Sequence, residues 1–236
     1  MQYGGGKGKE EWESERLIAL IRSLQPHIIL NDRAQIPQDI VTPEQNISSP
    51  ALKDEETGEY YTWETCQTFS DSWGYYRDET SWKTPKMLID LLVKTVAKDG
   101  NLIMNVGPTA RGNFDSRANA ALDCYAAWMK YHARSIYGCT MAEPEFSAPE
   151  GVALTQSEDE KRLYVHLLDF PHGNLCVKGI EGHVEYVQLL CDGSEIMTVT
   201  KEHHDATGKS QGTKFEMMIP GIAFQMLDPV IEVFLK

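Results

Sequence analysis

Between Glu10 and Leu24 the apolar residues Trp12, Leu17, Ile18, Leu20, Ile21 and Leu24 recur at helical spacing among charged positions, which predicts an amphipathic helix that Pro26 ends. The run His27 to Leu30 that follows is short and apolar, the pattern of a strand buried on both faces of a parallel sheet. A second round predicts a strand over Tyr61 to Phe69, a helix over Thr84 to Ala97 and a strand from Asn101 to Val106. Thr84 is placed to cap that helix, Pro85 to open it, and Gly100 to supply a left-handed stop. A third helix is expected over Asp115 to Ser135, with Ala121, Leu122, Tyr125, Trp128 and Met129 as its apolar stripe and SIYG closing it. Helix alternating with strand is the signature of parallel α/β architecture.

Beyond MAEPEFSAPEG, Met141 to Gly151, the period shortens. KRLYVHLLDF, NLCVKGI, HVEYVQLLCDG, KFEMMIP and VIEVFLK are short alternating runs separated by Gly, Pro, Asn and Asp, and they predict an antiparallel β-sandwich. The chain therefore divides into an α/β part over residues 1–138 and a β-sandwich part over 139–236.

Composition narrows the partners. The formal net charge of −13 over 236 residues repels phosphate backbones and anionic headgroups, and no basic cluster with interleaved aromatics offsets it, so nucleic acid and membrane are poor fits. No apolar stretch is long enough to span a bilayer. The five cysteines are odd in number, widely spaced and outside any CxxC or His/Cys ligand pattern, which favours buried free thiols over disulfides or a metal site. GGGKGKE lacks the GxxxxGK[ST] spacing of a phosphate loop, and Asn46-Ile47-Ser48 is a formal but weak glycosylation acceptor.

The candidate chemistry gathers where predicted strands end. Asn31, Asp32 and Arg33 follow the run His27 to Leu30, at the carboxyl edge where active sites of parallel α/β proteins collect. Glu44 lies on the same connection, stiffened by Pro37 and Pro43, and a carboxylic acid there suits general acid work of the kind glycosidic cleavage needs. Trp63 and Glu64, with Asp71, Ser72, Trp73, Gly74 and Tyr75, form an aromatic and polar group fit for a sugar ring, since C–H faces stack on indole while hydroxyls seek charged partners. Asn105 to Pro108 adds a third polar strand end. No GxSxG accompanies Ser72.

In combination and order, KGKEEWESERLIALIRSLQPHIILNDR, TPEQ, WETCQTFSDSWGY, TPKMLIDLLVKTVAKDGNLIMNVGP and SIYG resemble the retaining α-L-fucosidases of glycoside hydrolase family 29, over about the first 138 residues. The resemblance implies the later strand and helix units of a TIM-type (β/α) barrel, here incomplete, followed by the family's β-sandwich. It also implies a fucosylated glycan or glycoside as substrate, Glu44 as acid/base, Arg33 and Trp63 as substrate-binding residues, and no metal or cofactor. The family's aspartate nucleophile falls before the stretch matching Tyr3-Gly4-Gly5, so the resemblance describes a carboxyl-terminal portion that depends on an amino-terminal barrel segment. An unpaired sheet edge and a partly uncovered face are expected with it. The alternative is a non-catalytic carbohydrate-binding or interaction module derived from such an enzyme.

Overall fold

A computed structural model describes residues 7–47, 57–204 and 206–236, which leaves Gly4 to Gly6 of the glycine-rich entry and Ser48 of the glycosylation triplet outside the described residues. Helix α1 spans Ser14–Leu24 and is entered through turns rather than a side-chain cap. Strand β1 (Trp63–Thr68), helix α2 (Pro85–Val96), strand β2 (Gly100–Asn105) and helix α3 (Ser116–His132) follow in the expected order. Thr84 caps α2, its hydroxyl accepting from the Met87 amide at 3.2 Å, and Asp115 caps α3 by accepting from the Arg117 amide at 2.8 Å.

Two details of the first part differ from the sequence expectation. Asp99, with φ 58°, takes the left-handed position after α2, and Gly100 instead opens β2. The run His27 to Leu30 is not a strand: Ile29 is 68% exposed, and the ladder is reduced to one parallel bridge, Asn31 to Ile40. A parallel strand buried on both faces needs a neighbour on each side and a layer on each face. Among the described residues His27 to Leu30 has one neighbour and neither layer.

β1 and β2 pair in parallel, Trp63 opposite Gly100 through Thr68 opposite Asn105. On the other side of β1 the segment Val41 to Gln45 runs parallel in a constant register, with bridges Val41 to Trp63 and Glu44 to Cys66. Helices α2 and α3 cover one face of this small sheet through Phe69, Leu88, Ala118 and Ala121. The opposite face is open, leaving Ile103 45% exposed.

The remainder is antiparallel. β3 (Cys139–Met141), β4 (Val152–Ser157), β5 (Arg162–Leu167), β7 (Val184–Leu189) and β10 (Val230–Leu235) form a five-stranded sheet in the order β3-β4-β5-β10-β7. β6 (Leu175–Cys176), β8 (Thr198–His204) and β9 (Ser210–Met217) form a second sheet in the order β6-β9-β8. Of these, β3, β4 and β8 carry too little alternation to have been read from sequence. One apolar cluster joins the two sheets, built from Leu163, Val165 and Leu167 of β5, Ile231 and Val233 of β10, and Leu175, Phe215 and Met217 of the second sheet. The five-stranded sheet buries its other face as well. Tyr164, Leu168 and Val230 pack against Ile89, Val93 and Trp128 of the helices, so β5 has apolar surroundings on both sides.

Titratable groups are sealed into this second contact. His166 is fully buried, and its Nε2 lies 2.9 Å from the Thr155 hydroxyl, which donates its one proton to the Ser135 carbonyl at 2.7 Å. His166 Nε2 therefore carries a proton, leaving Nδ1 bare and unpartnered. His132 stacks on Trp128 with ring centroids 4.7 Å apart, and its Nδ1 donates to the Trp128 carbonyl. Burial pushes His166 down to about 3 and lowers His132, whereas burial lifts Asp228, beside Lys86 and Asp90, to about 6. The signs oppose each other. Unfolding below pH ~6.5 protonates the histidines and costs stability about 1.4 kcal/mol per pH unit per group, down to the folded value near 3 for His166. Asp228 keeps its proton in the fold between 3.8 and about 6, so acidification through that window stabilises and a rise in pH removes the gain. Urea denaturation at stepped pH should thus show a steeper acid loss for Asp228→Asn than for the wild type between pH 4 and 6, and a shallower one for His166→Gln. Parallel curves for all three proteins would exclude this account.

Candidate functional site

Strand period decides what shares a face. Glu64 and Cys66 of β1 lie on the open face of the parallel sheet with Thr42, Glu44 and Ile103, while Trp63 and Thr65 point at the helices. The contacts agree with this register. The Thr42 hydroxyl donates to Glu64 Oε1 at 3.0 Å, and the Thr42 amide donates to Asp32 Oδ1 at 3.2 Å.

Arg33 reaches the same face from a 3-10 turn, Asp32–Ala34, which Asn31 caps by accepting from the Arg33 amide at 3.2 Å; Gln35 ends it in a left-handed conformation, φ 61°. The Arg33 Nη1 then lies 3.3 Å from Glu44 Oε2, with side-chain exposures of 29% and 17%. Half-buried pairs of this kind are less screened by solvent than surface ones and hold both partners in a defined orientation. Gln45 fixes the other end. It sits at φ 53°, its amide donates to the Cys66 carbonyl at 3.0 Å, and its Nε2 donates to Thr68 Oγ1 at 2.9 Å. A strained residue next to Glu44, held by β1 on both counts, is a common companion of functional side chains. The Cys66 thiol is pushed up by burial, with Arg33 opposing and Glu44 and Glu64 adding to the rise, so all three charges act on one spot of the open face.

Trp63 is elsewhere. It is fully buried, its indole N–H donates to the Lys98 carbonyl at 3.0 Å, and its ring lies flat enough on β2 that a Cβ at Gly100 would come within 2.3 Å of it. It offers no surface to a ligand, and its substrate-binding role is replaced by a packing one. On the loop that leaves the carboxyl end of β1, Trp73, Tyr75 and Tyr76 are exposed. In that loop the Ser72 hydroxyl donates to Glu79, and Ser81 donates both hydroxyl and amide protons to it; these bonds, Ser72 first, hold the Glu79 carboxyl down at about 2. Asn105 joins the loop by donating from Nδ2 to the Trp73 carbonyl.

No three His, Cys, Asp or Glu side chains among the described residues are grouped to hold a metal ion, and no described helix is long and apolar enough to cross a membrane. The five cysteines are free and half-buried. What the open face offers is a cation paired with a carboxylate, a second carboxylate one strand over, and aromatic rings on the adjoining loop. That is the equipment for orienting a polyhydroxylated ring and moving a proton at its edge.

The sequence model of the α-L-fucosidases matches residues 3–134, a stretch that contains Arg33, Glu44, Glu64 and the aromatic loop. The chain belongs to the α-L-fucosidase family. The plasma α-L-fucosidase of Homo sapiens is 32% identical over 152 residues, covering 61% of this chain and 32% of that protein. Among solved structures, α-L-fucosidase isoenzyme 1 from Paenibacillus thiaminolyticus superposes with a TM-score of 0.84 at 31% identity, covering 99% of this chain and 56% of that one. The Thermotoga maritima α-fucosidase, solved with a mechanism-based inhibitor, shares the fold, with a TM-score of 0.73 at 24% identity over 97% of this chain and half of that one. The chain thus spans about a third of the length of its human relative and about half that of the solved fucosidases. Both parts of the chain have counterparts in the solved fucosidases, since the superpositions run across α/β and antiparallel regions alike.

Proposed function

We propose that this chain supplies the acid/base half of a retaining α-L-fucosidase that removes terminal α-L-fucose from glycans. Glu44 protonates the departing glycosidic oxygen and then takes a proton from water, while Arg33 orients Glu44 and the sugar. The observation that carries the reading is the Arg33–Glu44 pair, held on the open face inside the stretch that matches the family. Glu44 leads the candidates for the acid/base because the proline-stiffened segment and the left-handed Gln45 aim it at the open face.

The architecture completes the reading. The parallel register running through Asn31, Ile40, Val41 to Gln45, β1 and β2 supports the later staves of a (β/α) barrel, and the two antiparallel sheets around one core support a β-sandwich over residues 139–236. Leu17, Leu20 and Leu24 of α1, with Ile28 and Ile29, leave apolar surface exposed. An amino-terminal barrel segment carrying the nucleophilic aspartate would cover that surface and place its carboxylate about 5 to 5.5 Å from that of Glu44, the separation retaining glycosidases use.

The test is turnover of an aryl α-L-fucoside by the whole protein, with the anomer released first followed by NMR. Retention with α-L-fucose appearing first is expected. Inversion would overturn the two-step mechanism, and fucose binding without turnover would favour the non-catalytic carbohydrate-binding module.

A further inference from the structure

The carboxyl end of β1 is held by a lysine that the proposed chemistry does not use. Lys83 stands immediately before Thr84, the residue that caps α2, and its amide donates to the Phe69 carbonyl at 2.9 Å, so the start of the helix is docked on the end of the strand. From there its side chain turns back to β1. Nζ donates to the Thr68 carbonyl at 2.8 Å and to the Ser70 carbonyl at 3.4 Å, and lies 3.5 Å from the Thr68 hydroxyl oxygen. Burial lowers the Lys83 ammonium and Asp71 opposes the shift, while these strand-end oxygens are what its three donors meet. Thr68 passes the order on. It is fully buried, and its single hydroxyl proton goes to the Ser70 carbonyl, so its oxygen is left to accept from Gln45 Nε2 at 2.9 Å. Gln45 is the left-handed residue next to Glu44, and its amide is tied to the Cys66 carbonyl as well. Lys83, Thr68 and Gln45 thus form one chain of contacts that starts at α2, converges on Thr68 and ends beside Glu44.

We propose that Lys83 is a positioning residue for Glu44, acting through the Thr68 hydroxyl and the Gln45 carboxamide to fix the direction in which the Glu44 carboxyl delivers its proton. This deepens the fucosidase reading and rests on it for the identity of the group that takes the proton. Without the ammonium the Thr68 and Ser70 carbonyls lose a charged donor, the turn after β1 relaxes, and the Thr68 hydroxyl is free to rotate away from Gln45. Gln45 already sits in a costly backbone conformation, so it moves once that bond is loosened and takes Glu44 with it. Misplacing a catalytic group by about 1 Å costs on the order of 10²-fold in rate, and a partial loosening is read as a smaller loss.

The experiment compares two substrates with the whole protein: methyl α-L-fucoside, whose leaving group needs the acid, and a nitrophenyl α-L-fucoside, whose leaving group departs with little help. Lys83→Met, which keeps the stem and removes the donors, should lower kcat/KM about tenfold on the methyl fucoside and less than twofold on the nitrophenyl fucoside. Lys83→Arg should recover most of the loss. Thr68→Val, close to isosteric and made on a different element, should reproduce the Lys83→Met pattern, and the double variant should be no slower than either single one, because both act on one chain of contacts. A fall of the same size on both fucosides, which a loosened fold would give, no change in either variant, or additive losses in the double variant would each overturn the proposal. The Gln45 carboxamide, followed by NMR in protein with isotope-labelled glutamine, reads the same contact without turnover. Its protons should exchange with water about tenfold faster in Lys83→Met, and an unchanged signal would overturn the proposal. Wild-type protein that turns over neither fucoside while the Gln45 signal responds as stated would sink the fucosidase reading alone and uphold Lys83 as the anchor of Gln45.

Discussion

Glu44→Gln should slow fucoside cleavage most where the leaving group is poorest. In the whole protein the first step needs a proton on the departing oxygen in proportion to that oxygen's basicity, and general acid catalysis is worth roughly 10²- to 10⁴-fold when the leaving group is an ordinary sugar hydroxyl. An activated aryl leaving group departs with little help, so for it the loss shifts to the second step, where Glu44 would activate water, and an intermediate should accumulate in a burst. The signature is the slope of log kcat/KM against leaving-group pKa, which should steepen in the variant. A uniform loss across substrates would remove Glu44 from the role and turn attention to Glu64, its neighbour on the open face, which the Thr42 hydroxyl holds at 3.0 Å. Glutamine keeps the shape of the pair with Arg33 but gives up its charge, so a thermal melt alongside the kinetics separates chemistry from support.

Trp63→Ala carries the largest expected cost in stability. The indole is completely buried between the parallel sheet and the helices, and removing it deletes its hydrogen bond to Lys98 and leaves a cavity that β2 and α2 cannot close. Aromatic truncations of this kind cost about 3–5 kcal/mol, a large part of a domain's whole stability. The close approach of Gly100 supplies a second test. Gly100→Ala should be severe in the wild type, where its methyl meets the ring at 2.3 Å, and mild in Trp63→Ala, where that volume is free. Urea denaturation of the four proteins of that cycle measures the coupling, and additive losses would show that Gly100 serves its backbone conformation rather than the tryptophan.

The same residue shows where reading the sequence succeeded and where it stopped. Helices α2 and α3, the Thr84 cap, β1 and β2 were legible because caps and periods are local properties. Trp63 and Glu64 were grouped by proximity in sequence, although a strand sends neighbours to opposite faces; applying the period of two would have kept Glu64 and set Trp63 aside. His27 to Leu30 has a strand's composition, but pairing is a property of neighbours, and its side chains lack them among the described residues. The connection that carries Arg33 and Glu44 was readable from its prolines and the family motifs, but the 3-10 turn that presents Arg33 was not. The hydrogen bonds that the Arg117 guanidinium donates to the Arg77 and Glu79 carbonyls, some forty residues earlier, were not, because a contact between distant segments leaves no periodic trace.

β5 carries a further implication. Its residues alternate between the cluster shared by the antiparallel sheets and the one shared with α2 and α3, so no cut through the chain releases either region without stripping one side of that strand. The helices and both antiparallel sheets should therefore open together, with the β5 amides exchanging with deuterium only through the global transition. In the cell, a lesion in either region would remove the other along with it.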